Sequence, residues 1–285
     1  MHSGEQMSYA APGLRLTDVS QTLSGHAVFS KLSLRLKGQS WHCILGRSGV
    51  GKTTLLRLIA GLDAPQGGRI TDDCERPLSA QVSYMSQDDG LLPWLSVVEN
   101  VQLGPRLRRE STPTTHARAI DLLSQVDLLP WADATTDQLS GGMRQRVALA
   151  RTLLEDRPIV LMDEPFSRLD AITRDELQVL STRLLQGRTV VLVTHDPHEA
   201  LRLGHTIHVL QRSVGGTPGN VGRTDIVELG TTLRSQDAGA PASVVIEPVP
   251  LSATPESYTS ATNSAATRAL SELWTLLRAS GPGDS

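Results

Sequence analysis

Residues 41–62, WHCILGRSGVGKTTLLRLIAGL, hold the feature that most restricts how this chain can fold. A short apolar run reads as a buried strand, a glycine-rich turn follows, and apolar residues then recur at helical spacing. The turn, GRSGVGKTT (46–54), has the form G-x-x-x-x-G-K-[ST]. Gly46, Gly49 and Gly51 let the backbone curl without side chains in the way, so successive N–H groups can face phosphate oxygens. Arg47, Ser48, Val50 and Thr54 complete the loop. Lys52 supplies a point charge and the Thr53 hydroxyl a ligand for Mg²⁺, while the helix adds the positive end of its dipole. Such a loop needs a strand before it and a helix after it, and both are present.

Around this unit the pattern is that of an α/β protein. LRLTDV and FSKLSLRL, within 14–36, alternate as an antiparallel strand pair. QVSYMSQ (81–87), PIVLM (158–162), RTVVLVT (188–194) and TIHVLQ (206–211) read as further strands. Helices are expected over SVVENVQL (96–103), THARAIDLLSQVDLL (115–129), SGGMRQRVALARTLLE (140–155) and ITRDELQVLSTRLL (172–185). Strands separated by helices imply a mostly parallel sheet, interrupted over about 88–155 by a helical lobe. After Gln211 the segment RSVGGTPGNVG is linker-like, and 235–264 is rich in Ala, Ser, Thr and Pro, with one strand candidate at ASVVIEPV. A last amphipathic run, 263–280, puts Ala266, Ala269, Leu270, Leu273, Trp274 and Leu277 on one face. It serves either as a docking helix for a partner or as a terminal helix packed on its own domain.

Asp163 and Glu164 end the apolar run IVLMDEP (159–165), which delivers adjacent carboxylates to the sheet edge. One carboxylate can hold Mg²⁺ and the other can orient or deprotonate an attacking water. A helix cap or a surface acidic pair is the plainer alternative, and the preceding IVLM and following Pro165 argue against it. In LSGGMRQR (139–146), Ser140, Gly141 and Gly142 expose a hydroxyl and backbone N–H groups at a helix start, a second anion site.

These three segments in this order resemble the ATP-binding cassette ATPases. The resemblance covers roughly residues 14–211 and leaves 212–285 as a linker and extension. It implies an ABC nucleotide-binding domain with a mostly parallel core sheet, an antiparallel β subdomain and an inserted helical subdomain. It assigns ATP and Mg²⁺ as cofactors, Asp163 (with Thr53) to the metal, and Glu164 to the attacking water. His195, in VLVTH, falls where the family contacts the γ-phosphate; Gln87, closing QVSYMSQ, falls where it reaches Mg²⁺ and the water. Ser140, Gly141 and Gly142 would close over ATP held by a second copy, and Asp170 in SRLD (167–170) matches the dimer-contact loop. Two positions depart from the pattern. Arg168 replaces a small residue in that loop, and Leu23 stands where an aromatic ring stacks on adenine, with His26 or Phe29 as substitutes.

Within the family, QDDGLLPWLSVVENV and LMDEPFSRLDAITR look most like cytoplasmic ATPase subunits of bacterial importers of the nitrate/sulfonate/taurine group, which includes carriers of the thiamine pyrimidine precursor. The implied partners are a second ATPase subunit, a membrane permease seated beside Gln87 with Leu91, Leu92 and Trp94 as candidate lining, and indirectly a periplasmic solute-binding protein. An exporter subunit shares every catalytic motif. A non-transport cassette ATPase fits less well: only 85 residues separate Thr53 from Leu139, with no sustained heptads for a long coiled coil, and the ribosomal type carries two cassettes.

Composition is consistent with these expectations. Net charge is −3, and RLRR (106–109) is the only dense basic cluster, so no field exists to gather nucleic acid. The first residues show no charged-then-apolar signal pattern, and no run reaches the ~18–20 apolar residues of a membrane span. The chain is expected to be soluble by itself and peripheral at the cytoplasmic face of the inner membrane. Cys43 and Cys74 form no C-x-x-C pair and suit a reducing compartment.

Overall fold

The computed structural model describes residues 10–211, the backbone of 212 and of 224–230, and helical positions 270, 271, 273–275 and 277. Three strands form an antiparallel sheet: β1 (Leu14–Leu23), β2 (His26–Leu36) and, after β3 (Trp41–Gly46) and α1 (Lys52–Ile59), β4 (Gly67–Asp72), in the order β2-β1-β4. β4 is an addition to the sequence reading. Only its last residue, Asp72, is fully covered, so it carries little apolar signal.

The second sheet holds β3, β5 (Val82–Met85), β6 (Ile159–Asp163), β7 (Thr189–Thr194), β8 (Thr206–Arg212) and β9 (Thr224–Gly230), ordered β5-β6-β7-β3-β8-β9. The first five run parallel, as expected from the alternation of strands and helices. β9 follows the linker-like stretch, in a segment the sequence reading leaves without a strand, pairs antiparallel with β8 and caps that edge. The strand candidate ASVVIEPV lies outside the described residues.

Between the neighbouring strands β5 and β6 the chain leaves the sheet through α2 (Val97–Val101), α3 (Leu103–Leu107), α4 (Pro113–Gln125) and α5 (Gly141–Leu154). α2, α4 and α5 each start on a side-chain cap that satisfies one of the orphan N–H groups. Ser96 and Glu99 form a reciprocal capping box on α2, and Thr112 precedes Pro113 at the start of α4. Two more helices follow: α6 (Ala171–Leu184), and α7 (Pro197–Leu203), which the sequence reading lacks. At seven residues α7 is too short for a clear period, but Asp196 caps it and Pro197 opens it.

β3, β6 and β7 are buried along their whole length, hence their near-continuous apolar sequences. Alternation divides them between two cores. Cys43, Leu45, Val160, Met162, Val190 and Leu192 join the helices. Ile44, Leu161, Val191 and Val193 join α1 and the antiparallel sheet. The chain therefore places α1, and the loop before it, between two sheets. Leu273 and Leu277 of the terminal helix are buried in the helical-side core, with Leu270 partly so, whereas Trp274 stays 45% exposed. This is packing on the chain's own domain, and it corrects the placement of Trp274 on the packed face. Among the described residues no helix is long and apolar enough to cross a membrane.

A buried histidine pair, His42 of β3 and His208 of β8, bridges these neighbouring strands. His42 Nε2 lies 2.8 Å from the Lys37 carbonyl, which can only accept, so that nitrogen carries the hydrogen. His42 Nδ1 then accepts from His208 Nε2 at 3.3 Å, leaving His208 Nδ1 buried, bare and unpartnered. Burial depresses both proton affinities, His208 from its ordinary 6.5 to about 3. The unfolded chain takes up protons first as pH falls below about 6.5, so stability is expected to decline from there towards about pH 3. Thermal melts from pH 7 to 5 check this, and His208→Gln, which still donates to His42 without titrating, should flatten the slope. An unchanged slope in that variant would assign the acid sensitivity elsewhere.

Candidate functional site: a phosphate loop facing two carboxylates and a histidine

Strand order alone assembles the centre. β6, β7 and β3 are neighbours, and Asp163 pairs with Val193 while Leu45 pairs with Thr194. Their carboxyl ends therefore bring Asp163–Glu164, His195 and the loop from Gly46 side by side, where open α/β sheets place their ligands.

Gly49 (φ 78°) and Gly51 (φ 109°) hold left-handed backbone in the loop. At Gly51 a Cβ would also stand 2.6 Å from Val28 Cγ1 and 3.1 Å from the Phe29 ring, so β2 seals the loop from behind. Arg47, Ser48 and Gly49 are exposed, and Val50 is buried. Lys52 is only 5% exposed: its Nζ donates to the carbonyls of Gly46 (2.9 Å) and Arg47 (3.2 Å) and lies 3.6 Å from Glu164 Oε1. Burial pulls its proton affinity down, and the Glu164 and Asp163 carboxylates push it back up.

Glu164 is a non-glycine residue at φ 45°, a costly conformation held by its N–H donating to Val193 O (2.9 Å). This aims Oε2 at His195 Nδ1, 2.9 Å away. Asp163, buried, accepts from Thr53 Oγ1 (3.2 Å) and from Tyr84 Oη (3.2 Å). Burial raises its proton affinity, and those two donors counter the rise. The Thr53 and Asp163 oxygens suit Mg²⁺: they are hard donors, and neighbouring ligands of an octahedral site at about 2.05 Å stand about 2.9 Å apart, close to the 3.2 Å seen. Tyr84 is a member of the site that sequence reasoning missed. As the alternate residue of β5 facing β6, it was legible only once those two strands were known to pair.

The remaining expected residues are bonded locally or exposed. Ser140 is exposed at the start of α5, its Oγ accepting from Met143 N (3.3 Å), so its O–H hydrogen remains for another acceptor. Asp170 Oδ1 caps α6, accepting from Ile172 N and Thr173 N at 3.1 Å each. Gln87 is exposed two residues beyond β5. No hydrogen bond or ion pair among the described residues joins Ser140, Gly141, Gly142, Gln87 or Asp170 to the phosphate loop.

Gly141 is open on its Cβ side, but at Gly142 a Cβ would stand 2.3 Å from Thr173 Cγ2 of α6. Gly142 is therefore also a close-packing residue, a role its motif hides. Gly142→Ala should cost about 1–3 kcal/mol through overpacking, partly offset by alanine's helix propensity of about 1 kcal/mol. Adding Thr173→Ser, which removes the clashing methyl, should restore the melting temperature; a double variant as unstable as the single would place the strain elsewhere.

Two corrections concern the departures noted in the sequence. Phe29 is buried in the core and is not available to stack on a base; Leu23, 58% exposed, and His26 face each other across the tight β1–β2 hairpin instead. Arg168 has a partner within the chain, its Nη1 2.6 Å from Asp88 Oδ1, next to Gln87. Asp89 and Gly90 carbonyls accept from Arg151 of α5, so the 87–90 loop is tied to the helical lobe as well as to the catalytic loop.

Against known proteins, the family model described as ABC transporter matches residues 29–167. An ABC transporter ATP-binding protein of Haemophilus influenzae, itself uncharacterized, is 43% identical over 198 residues, 70% of this chain and 82% of that protein. This chain belongs to the ABC transporter ATP-binding family. The aliphatic sulfonates import ATP-binding protein SsuB 1 of Rhodococcus jostii is 44% identical over 200 residues, 70% of this chain and 79% of that one. The SsuB 1 of Xanthomonas axonopodis pv. citri is 39% identical over 230 residues, 77% and 88% of the two chains. Among solved structures, a dimeric post-hydrolysis state of an ATP-binding cassette bound to ADP and Pi superposes with a TM-score of 0.61 at 30% identity, over 69% of this chain and 93% of that one. The α/β phosphate-loop fold expected from the sequence is thus the fold of this ABC ATPase, whose nucleotide is ATP with Mg²⁺.

Proposed function

We propose that this cassette is the ATP-hydrolysing subunit of a bacterial importer for a small organic anion of the sulfonate type, working as a pair of copies beneath a membrane permease. The observation that carries it is the division of the site. Lys52, Thr53, Asp163, Glu164 and His195 converge within one copy, while the exposed helix N-terminus at Ser140 and Gly141 shares no hydrogen bond with them. A second copy turned head to tail would bring its Ser140 hydroxyl and α5 dipole to the phosphates bound by the first. The names of the Rhodococcus and Xanthomonas relatives support import and the sulfonate class. The dimeric cassette structure supports pairing.

In this reading the loop N–H groups and Lys52 hold the β- and γ-phosphates. The phosphates compete with Glu164 for Lys52, and each success frees the carboxylate from its 3.6 Å pairing. Thr53 and Asp163, joined by the expected ligand Gln87, would hold Mg²⁺, which would supply charge neutralisation on the phosphate oxygens. Glu164 then orients the attacking water and takes its proton. As Glu164 turns to the water, the His195 Nδ1–H that its carboxylate accepted is released to donate towards the γ-phosphate as charge builds there. Leu23 packs on the purine face. Asp170, with its cap bonds made, contacts the second copy. Contacts between Ser140 and the γ-phosphate end when that group leaves, so hydrolysis removes the affinity that holds the pair closed.

In this reading the permease sits beside Gln87, and the 73% exposure of Trp94 supports an apolar partner contact. The test is to solubilise membranes from cells carrying an affinity-tagged copy at native level. Copurification of a multi-span permease, with ATPase activity raised by a sulfonate-binding receptor, is the expected result. Recovery with ribosomes or DNA ends instead would overturn the transport role, and stimulation only by outward-moving compounds would overturn import.

A further inference from the structure

Glu199 is a buried carboxylate, 5% exposed, that the hydrolytic steps do not use. It lies in the first turn of α7 and accepts a hydrogen bond from Thr194 Oγ1 at 2.6 Å. The same hydroxyl oxygen accepts from Asp196 N at 3.0 Å. Thr194 and Asp196 flank His195, so one hydroxyl, its hydrogen committed to Glu199, closes the turn that carries the histidine. On the other side of Glu199 stands Arg174 of α6. Its Nη2 donates to Leu169 O at 2.9 Å, immediately before Asp170, and it lies 3.9 Å from both Asp196 Oδ2 and Glu199 Oε1. Arg174 Nε is buried and makes no hydrogen bond. Two loops therefore meet through one pair, the buried Glu199 and the part-exposed Arg174: the loop after β6, with Glu164 and Asp170, and the turn after β7, with His195.

We infer that Glu199 is a positioning residue for ATP hydrolysis, fixing the His195 turn through Thr194 and joining it through Arg174 to the loop that carries Asp170. The proposal rests on His195 acting at the γ-phosphate, as set out above. Its logic is that of a buried polar network in which each member has few alternatives, so the loss of one shifts the others. A change at Asp170, where a second copy would bear, reaches Leu169 O, Arg174, Glu199 and Thr194 in turn before reaching His195. Glu199 touches neither nucleotide nor water in this scheme, so its removal should alter turnover and leave ATP affinity alone.

The full chain is purified with Thr194→Ser, Thr194→Val, Glu199→Gln and Glu199→Ala, each also made with His195→Ala, and kcat, KM for ATP and melting temperature are measured. Thr194→Ser keeps the hydroxyl and should stay within twofold of the parent. Thr194→Val and Glu199→Ala should lose at least tenfold in kcat with KM within threefold. Glu199→Gln, which keeps an acceptor for Thr194 but drops the charge facing Arg174, should fall between them. With His195→Ala in place, the same changes should cost less than twofold more, because they act through that side chain. Wild-type kcat in a folded Thr194→Val or Glu199→Gln overturns the inference, as does an equal loss in both backgrounds. His195→Ala at the parent rate would instead overturn the role given to the histidine.

Discussion

Glu164→Gln is expected to bind ATP at least as tightly as the parent chain and to lose hydrolysis by about 10²–10⁴-fold, the usual contribution of a positioned base. The isosteric amide keeps an acceptor or donor for His195 Nδ1, now 2.9 Å from the carboxylate, and it fills the same strained position at φ 45°. What it loses is the ability to accept a proton from water. It also loses the charge that competes for Lys52, which favours the phosphates further. With the γ-phosphate never leaving, closed pairs should accumulate, visible as an ATP-dependent doubling of mass in size-exclusion chromatography with light scattering. Wild-type turnover would mean that the base is another group.

Lys52→Ala should weaken ATP binding by about 10–150-fold, the equivalent of one charged hydrogen-bonding partner at about 1.5–3 kcal/mol. The side chain is nearly buried and anchored on the Gly46 and Arg47 carbonyls, so its ammonium is already in the place where phosphate oxygens would take over those bonds. The variant leaves Glu164 without its cation, so Lys52→Met, which retains the aliphatic stem, serves as the control for folding. Calorimetry with a non-hydrolysable ATP analogue reads the affinity directly. Unchanged binding in both variants would remove the loop from the nucleotide site.

The readable parts of this molecule are those where one physical demand governs the sequence. β3, β6 and β7 are covered on both faces, so their apolar runs announce them, and the loop at 46–54 has the only backbone chemistry that fits a phosphate there. β4 was not legible because it is largely solvent-facing, and α7 because seven residues hold fewer than two full turns. Side-chain partnerships formed across the sheet were hidden for another reason. Tyr84 with Asp163, and Arg168 with Asp88, depend on strand order and loop placement that no local window contains. Ser140 and Asp170, whose motifs point to nucleotide and partner contacts, each also cap a helix. Local stability and function select the same residue type at these two positions, so the motif alone does not separate them.

β9 has a practical consequence for anyone trimming this chain to a minimal cassette. A cut after Arg212 would strip the backbone partner from β8 and leave a row of unsatisfied N–H and C=O groups along its outer edge. Such an exposed border templates intermolecular β-pairing, so the shortened protein would tend to precipitate as stacked oligomers while its nucleotide pocket stayed intact. Inclusion-body formation in that case would report on a lost selvedge of the sheet rather than on a misfolded catalytic centre.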